Sequence, residues 1–244
     1  MKKTTLTLAA SVLMGSIGLG ALTGHAADYE DALNATSEGA VTIVENDLPD
    51  DTIPDPENPD QELDPENPVN PNPGQLRINY VSNFDFGKIK NTSGAMTLEA
   101  KLDKLWLADG TETERVPFVT TEDRRGTDRK GWELRVSQPK PLADAAGNEL
   151  QGATIQLNGL RYSNAGTDSP VVTGGTITLA PSEQVLARAN EAQGAGARSL
   201  ALGSATEQGT TNGVTLNIPA NTIRNNTEYT SSIVWELVAD PTTN

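Results

Sequence analysis

The stretch GWELRVSQ, residues 131–138, and the closing stretch SIVWELVADPTTN, residues 232–244, both contain the triplet Trp-Glu-Leu. Only three tryptophans occur in the chain, and two of them, Trp132 and Trp235, begin these triplets. Side chains on a β-strand alternate between two faces, so each triplet would place Trp and Leu on one face and Glu on the other. We therefore expect two strands that lie side by side and bring their Trp and Leu side chains into one cluster.

Short alternating segments recur over residues 75–244 and predict an all-β domain. Glycine-rich turns separate these segments, which is typical of an antiparallel β-sandwich or barrel. Asp109-Gly110 predicts a hairpin turn, and Ser182 to Glu191 fits a strand or a helix, with the strand favoured. The last strand is expected to be internal and to start at Ser231. The other strand segments are Leu76–Val81, Val116–Thr120, Trp132–Val136, Thr154–Leu157, Thr176–Leu179 and Val214–Ile218.

Residues 27–74 have a different composition, with 14 acidic residues and no Lys or Arg. Eight of the 15 prolines lie between residues 45 and 74, and the pentapeptide DPENP occurs at 55–59 and again at 64–68. Proline favours extended chain, and like charges resist collapse. The segment is therefore predicted to be a disordered spacer in front of a folded domain at 75–244.

The first 26 residues have the pattern of a secretory signal peptide: two lysines, an apolar run, and small residues before Ala27. Without them the chain keeps 16 of its 18 basic residues against 33 acidic ones, a formal charge of −17, and has neither His nor Cys. Zinc sites, Ser-His-Asp or Cys-His catalytic groups and disulfides are then excluded. No metal or cofactor is expected, no insertion into the membrane, and no nucleic-acid partner because the charge repels phosphate.

Four segments together resemble the WxL-domain family of secreted surface proteins of low-GC Gram-positive bacteria. They are GWELRVSQ at 131–138, YTSSIVWELVADP at 229–241, FDFGKI at 84–89 and EDRRGTDRKGW at 122–132. The resemblance covers residues 75–244, with a proximal Trp-x-Leu motif and a distal one that includes a tyrosine. It implies an all-β domain held non-covalently on the cell wall, with peptidoglycan as the ligand and without enzymatic activity. It also implies membrane-anchored surface proteins as possible partners.

The resemblance marks five motif residues, which are either structural or in contact with the ligand: Trp132, Leu134, Tyr229, Trp235 and Leu237. Aromatic residues in step with Leu and Val on a strand are usually core, whereas exposed ones would stack on sugar rings. The chain also has one dense basic patch. Its cations either bind anionic wall polymers or are simply solvated on a loop. Its members are Arg124, Arg125, Arg129 and Lys130.

Three functions remain open at this point. The first is attachment to the wall, the second is docking onto a membrane-anchored surface protein, and the third is a wall hydrolase. A hydrolase would need two carboxylates, and Glu133 and Glu236 would come close together if the motif strands paired. Both lie on the outward faces of their strands, where carboxylates are normally solvated. No catalytic residue is therefore assigned.

Overall fold

The computed structural model describes residues 28–29, 31–36, 39–44, 53–66, 68–164 and 166–241. The predicted signal peptide, residues 1–26, lies outside these ranges. The chain divides into two units, Met1–Glu45 and Asn46–Asn244. In the first unit, β1 (Asp28–Tyr29) pairs antiparallel with β2 (Ala35–Thr36), and Asp31 accepts hydrogen bonds from the backbone of Leu33 and Asn34 in the connecting turn.

The second unit contains fifteen strands within the described ranges and one short 3₁₀ helix, Gly126–Asp128. Nowhere in those ranges is there a helix with the length and apolarity that a membrane span requires. The strands are β3 (Leu63–Pro65), β4 (Leu76–Val81), β5 (Met96–Lys101), β6 (Asp103–Leu107), β7 (Glu112–Arg115), β8 (Phe118–Asp123), β9 (Trp132–Ser137), β10 (Thr154–Leu157), β11 (Leu160–Arg161), β12 (Val171–Val172), β13 (Ile177–Thr178), β14 (Gln184–Ala189), β15 (Gly196–Leu202), β16 (Thr210–Ile218) and β17 (Val234–Ala239).

The described strands of this unit pair antiparallel in three four-stranded sheets and one three-stranded sheet. The orders are β13-β10-β16-β5, β11-β15-β8-β4, β12-β14-β9-β17 and β3-β6-β7. The prediction of an all-β antiparallel protein is confirmed. The strands are spread over more than the two sheets of a simple sandwich.

All three four-stranded sheets contribute to one large hydrophobic core. Its fully buried side chains include Trp132 and Leu134 of β9, Leu157 of β10, and Leu200 of β15. In β9 and β10 apolar residues toward the core alternate with polar residues away from it, whereas β15 buries Leu200, Ala201 and Leu202 in succession. The core therefore fixes the positions of β9 and its neighbours.

A second, smaller core lies on the other side of β8 and changes the predicted domain boundary. It contains Ile53 and Leu63 from the acidic segment, packed with Tyr80, Leu105 and Phe118. The backbone N–H of Leu63 donates to the carbonyl of Ile53 at 2.9 Å, and β3 pairs with β6. The prediction of a disordered spacer up to residue 74 is therefore wrong for residues 53–66, because two apolar side chains in this segment complete a core.

An ion pair also holds the acidic segment in place. Asp55 is 1% exposed, and its carboxylate accepts bonds from Arg115 Nε at 2.8 Å and from Arg115 Nη2 at 2.6 Å. A carboxylate buried to this degree is stable only when it is paired and hydrogen-bonded. The first DPENP copy is thus part of the folded domain.

Two local predictions are confirmed and one is corrected. Residues 184–189 form a strand rather than a helix, and Asp109-Gly110 lies in the turn between β6 and β7, with Gly110 at φ 82°. The last strand begins at Val234 instead of Ser231, and it is the edge strand of its sheet rather than an internal one. Residues 229–232 before it bind to a different segment through Thr230 and Ala143.

Candidate functional site

The two Trp-Glu-Leu triplets lie on neighbouring strands, as the sequence predicts. β17 pairs antiparallel with β9, and Leu237 lies directly opposite Leu134. Glu236 lies opposite Arg135 on the other face of the sheet. The leucines of the two motifs therefore meet at the centre of the pairing, and the two glutamates point away from the core.

The two tryptophans do not lie opposite each other, although both belong, with Leu134 and Leu237, to the large core that the sequence analysis expected. Trp132 lies opposite Ala239, whereas Trp235 lies opposite Val136. This register separates the two indoles by four positions along the strands, about 13 Å at roughly 3.3 Å per residue. The leucines form the centre of the contact, and one tryptophan lies toward each end.

Trp132 is a core residue, with an exposed fraction of 1%. Its cross-strand neighbours on both sides are alanines, Ala189 of β14 and Ala239 of β17, which leave room for the indole. A Cβ atom added at Gly194 would lie 2.8 Å from Trp132 Nε1, so only glycine fits there. Gly131 has φ 105°, and a Cβ atom on it would lie 2.1 Å from the carbonyl oxygen of Ala189. Small residues thus build the cavity that Trp132 fills.

Trp235 is only partly buried and has an aromatic partner. The ring centroids of Phe84 and Trp235 are 6.3 Å apart, and the ring planes meet at 81°, an edge-to-face contact. Phe84 belongs to the FDFG stretch, so the fold brings this stretch onto the distal motif. We call the partly buried pair Phe84 and Trp235 the aromatic edge. Tyr229, also partly buried, accepts a hydrogen bond from the backbone N–H of Asn225 at 2.7 Å.

The opposite face of the motif strands carries a charge network around Glu133. Its carboxylate accepts bonds from Arg188 Nε and from Arg135 Nη2, both at 2.7 Å. Arg188 first, and then Arg135, hold the pKa of Glu133 below its usual value. A general acid needs a raised pKa, so this environment is the opposite of what Glu133 would need as the general acid of a hydrolase.

Arg125 of the basic patch binds within the chain. Its guanidinium forms a bidentate pair with Asp123, donates to the carbonyl of Gly131 at 2.8 Å, and donates to Asp240 at 2.7 Å. Asp123, and to a lesser extent Asp240, raises the pKa of Arg125. This residue therefore joins the end of β8, the start of β9 and the end of β17.

The other three patch residues differ in their freedom. Arg124 Nε lies 3.3 Å from a carboxylate oxygen of Glu122, and Arg129 Nε donates to the backbone carbonyl of Glu191 at 2.8 Å. The Lys130 side chain is exposed and forms no ion pair with any residue in the described ranges. Sequence reasoning treated the four cations as one patch, but the fold divides them into bound and free groups.

Asp240 is a residue of this site that the sequence analysis missed. Its carboxylate accepts bonds from the Lys130 backbone N–H at 3.0 Å and from Arg125, and these two groups, in that order, lower its pKa. Its own N–H donates to the carbonyl of Gly131 at 3.0 Å. The basic loop therefore lies beside the end of the last strand, and Asp240 is the contact. The only signal in the sequence is an Asp-Pro turn after the distal motif.

Comparison with known proteins gives one finding. A family model described as "WxL domain surface cell wall-binding" matches residues 30–241. The match includes both Trp-Glu-Leu strands, the FDFG stretch, the basic loop and Asp240. No curated protein and no solved structure matches the chain. In the part of the chain that the structure describes, no three acidic, His or Cys side chains lie close enough together to hold a metal ion.

Proposed function

Because the chain belongs to the WxL family of surface cell-wall-binding domains, we propose that it is exported and attaches non-covalently to peptidoglycan of a Gram-positive wall. The family description supports a location at the cell surface. The observation that carries the choice of peptidoglycan is the aromatic edge on the distal motif. Trp235 is only partly buried there, with Phe84 against it.

Aromatic rings bind sugars through their apolar faces, and they need partial exposure to do so. Trp132 does not offer this, since it is buried beneath Gly194. The two copies therefore have different roles in our proposal: Trp132 supports the fold, and Trp235 contacts the glycan. Leu134 and Leu237 hold the two strands together, and Tyr229 positions the segment that leads into β17.

An electrostatic contribution comes from the basic loop, but from fewer residues than its sequence suggests. Lys130 forms no ion pair with a residue in the described ranges. Arg129 lies next to it in the chain, with one nitrogen bound to a carbonyl. We propose that these two contact anionic wall groups, while Arg124 and Arg125 maintain the loop. Lys130→Gln together with Arg129→Gln should weaken wall binding more at low salt than at high salt, because salt screens exposed charges.

The direct test is sedimentation of the full-length protein with purified peptidoglycan that has been freed of protein and teichoic acid. Our proposal requires the protein to move into the pellet. Retention in the supernatant, with binding to intact cells only, would contradict it and favour a protein partner. Release of soluble fragments would instead identify a wall hydrolase.

The chain offers a matched control for the aromatic edge. Trp106 is also a partly buried tryptophan on a strand, but it lies on β6 of the three-stranded sheet. Trp235→Leu should reduce pelleting, whereas Trp106→Leu should leave it unchanged. A melt of both variants checks that they remain folded. Equal pelleting of the two variants would show that the aromatic edge is not the contact.

A second candidate function is docking onto a membrane-anchored surface protein. It is favoured by the position of β17, which pairs with β9 on one side and lies at the edge of its sheet. An open strand edge can accept a further strand from another chain. In this case the protein would bind intact cells and would lose that binding after protease treatment of the cells, with purified peptidoglycan left unbound.

Export and the spacer complete the proposal. We propose that residues 1–26 are removed as a signal peptide and that residues 27–52 act as an acidic spacer in front of the wall-binding domain. The protein recovered from the wall should then begin at Ala27, which N-terminal sequencing determines. A first residue of Met1 would contradict the signal peptide.

A further inference from the structure

A polar groove of about 460 Å³ lies next to the distal motif and has no role in the site described above. Its floor is a short antiparallel ladder outside the main sheets. The N–H of Ala143 donates to the carbonyl of Thr230 at 3.0 Å, and the reverse bond measures 2.9 Å. Ala143 also bridges to Glu149 on its other side. With alanine at its centre, the floor leaves space above it.

The groove is held rigidly at the end nearest the motif strands. The Ser231 hydroxyl donates to the carbonyl of Lys140 at 2.7 Å and accepts from Gln138 Nε2 at 3.0 Å. Gln138 directly follows β9, and Ser231 lies three residues before β17. The groove and the two motif strands therefore share their supports.

Opposite charges line the groove without neutralising one another. Lys140, Asp144 and Glu149 are its three charged lining residues. Within the described ranges Lys140 forms no ion pair, and Glu149 accepts one bond from the side-chain amide of Gln151 at 2.7 Å. A cation and two anions that face one groove without touching leave room for a ligand that carries both charges.

Asp144 is held in its charged form. Amide groups surround its carboxylate, with bonds from Asn148 N at 2.8 Å, Asn225 Nδ2 at 2.8 Å and Ala146 N at 3.0 Å. The side chains of Asn148 and then Asn225 are the largest causes of a pKa lowered to about 2. Neutral amides satisfy the oxygen lone pairs but leave the negative charge uncompensated, so Asp144 adds to the field that Glu149 presents.

We propose that this groove binds a short peptide with a free ammonium group and a free carboxylate, the chemistry of the peptide stems of peptidoglycan. In this proposal Glu149 and Asp144 attract the ammonium group, and Lys140 pairs with the carboxylate. The inference rests on the proposed function and names the part of peptidoglycan that the groove recognises.

Two observations favour a peptide over a glycan here. The lining of the groove has no aromatic side chain on which a sugar ring would stack, and its three charged groups suit a zwitterion better than an uncharged sugar. The aromatic edge is close by: Ser232 of the groove precedes Trp235 by three residues, about 10 Å of extended chain. One fragment with sugar and peptide parts would therefore span both surfaces.

The test uses the full-length protein and calorimetric titration with a synthetic stem pentapeptide that ends in D-Ala-D-Ala, has a capped N-terminus and carries its single ammonium group on the lysine side chain. The peptide acetylated at that lysine, called the N-acetylated peptide, and the C-terminal amide are the matched ligands. Each modification removes one charge, and each should weaken binding about tenfold, as expected for loss of a charge-assisted hydrogen bond. Equal affinity for all three peptides, or no detectable binding of any, would overturn the inference.

Charge-removing variants identify which residue of the groove contacts which charged group of the peptide. Lys140→Gln should weaken binding of the free pentapeptide about tenfold and leave binding of the C-terminal amide unchanged. Glu149→Gln should weaken binding of the free pentapeptide about tenfold and leave binding of the N-acetylated peptide unchanged. Lys88→Gln and Glu207→Gln, at exposed positions outside the groove lining, are the controls and should bind like the parent protein. A parent-like affinity of both groove variants would also overturn the inference.

Failure of this inference is distinguishable from failure of the proposed function. Glycan strands freed of their peptides should sediment less protein than intact peptidoglycan if the groove contributes. Equal sedimentation with both would contradict peptide binding by the groove but would still support attachment to the wall. No sedimentation with either would remove the proposed function itself.

Discussion

The proximal and distal Trp-Glu-Leu copies are identical in sequence but occupy different positions in one sheet. β9, which carries the proximal copy, has a strand on each side, whereas β17, which carries the distal copy, has one neighbour and an open edge. Trp132 is 1% exposed, while Trp235 is partly exposed. The comparison shows that the environment of a strand, more than its own residues, decides whether a tryptophan is core or surface.

The glutamates repeat the same contrast. Glu133 is 9% exposed and lies between two arginines, Arg188 and Arg135. Glu236 is exposed on the edge strand and forms no ion pair with a residue in the described ranges. The proximal copy is thus enclosed on both faces, whereas the distal copy packs its Trp and Leu against the core and leaves its Glu exposed.

The largest expected effect is that of Trp132→Ala. Removing a fully buried indole leaves a cavity that Ala189, Ala239 and Gly194 are too small to fill, so the free energy of unfolding should fall by about 3–5 kcal/mol. Equilibrium denaturation with urea measures this loss. A variant as stable as the parent would show that Trp132 is not part of the core.

Trp235→Ala should have a smaller effect, about half of that loss, because the partly exposed side chain gives up less buried area. The two tryptophans are about 13 Å apart along the strands, and changes at that separation usually add. The double variant should therefore lose the sum of the two single losses. A double loss clearly below the sum would mean that the two indoles are in direct contact.

The leucines should behave differently. Leu134 and Leu237 lie directly opposite each other, so they share a contact that either substitution removes. Leu134→Ala with Leu237→Ala should therefore depart from additivity by about 0.5 kcal/mol or more in a double-mutant cycle. Strict additivity would contradict the register of β9 and β17.

Much of this contrast was predictable from the sequence, and one part of it was not. Alternation identifies both motif strands and their buried faces, because each strand shows its own period of two. The order of strands in the sheet depends on residues far away: β14, residues 184–189, covers the second side of β9. Nothing local to residues 232–244 states that this strand has only one neighbour.

The acidic segment shows the same limit more sharply. The two DPENP copies are identical, yet Asp55 of the first is buried and Asp64 of the second is exposed. Arg115 makes the difference, and it lies 60 residues away in the chain. Composition therefore predicted a spacer where a long-range ion pair and two apolar side chains build a core. The same reasoning explains why the basic patch could not be divided into free and bound cations.

The glutamate comparison predicts a smaller and pH-dependent difference. Glu133→Gln should cost about 1 kcal/mol at neutral pH, because the two charge-assisted bonds become neutral ones. Glu236→Gln should cost nothing measurable. The folded-state pKa of Glu133 is lowered, so its contribution is complete above the unfolded-state pKa and is lost as the pH falls through the folded-state value. Melting curves of parent and Glu133→Gln should therefore converge on acidification, and a gap that widened in acid would contradict the network.

The smallest expected effect concerns Asp240, which ties the open end of the distal copy to the basic loop. Asp240→Asn keeps a hydrogen-bond acceptor for the Lys130 backbone but removes the charge that pairs with Arg125. The site is exposed and water screens such pairs, so we expect a lower melting temperature by a smaller amount than Glu133→Gln gives. Added salt should reduce this difference.

Arg125→Lys tests the other side of this ion pair, because lysine cannot reproduce the bidentate pair with Asp123 and the bond to Asp240 together. If Arg125→Lys lowered the melting temperature no more than Asp240→Asn, the joint between β8, β9 and β17 would depend on charge alone and not on the geometry of the guanidinium group.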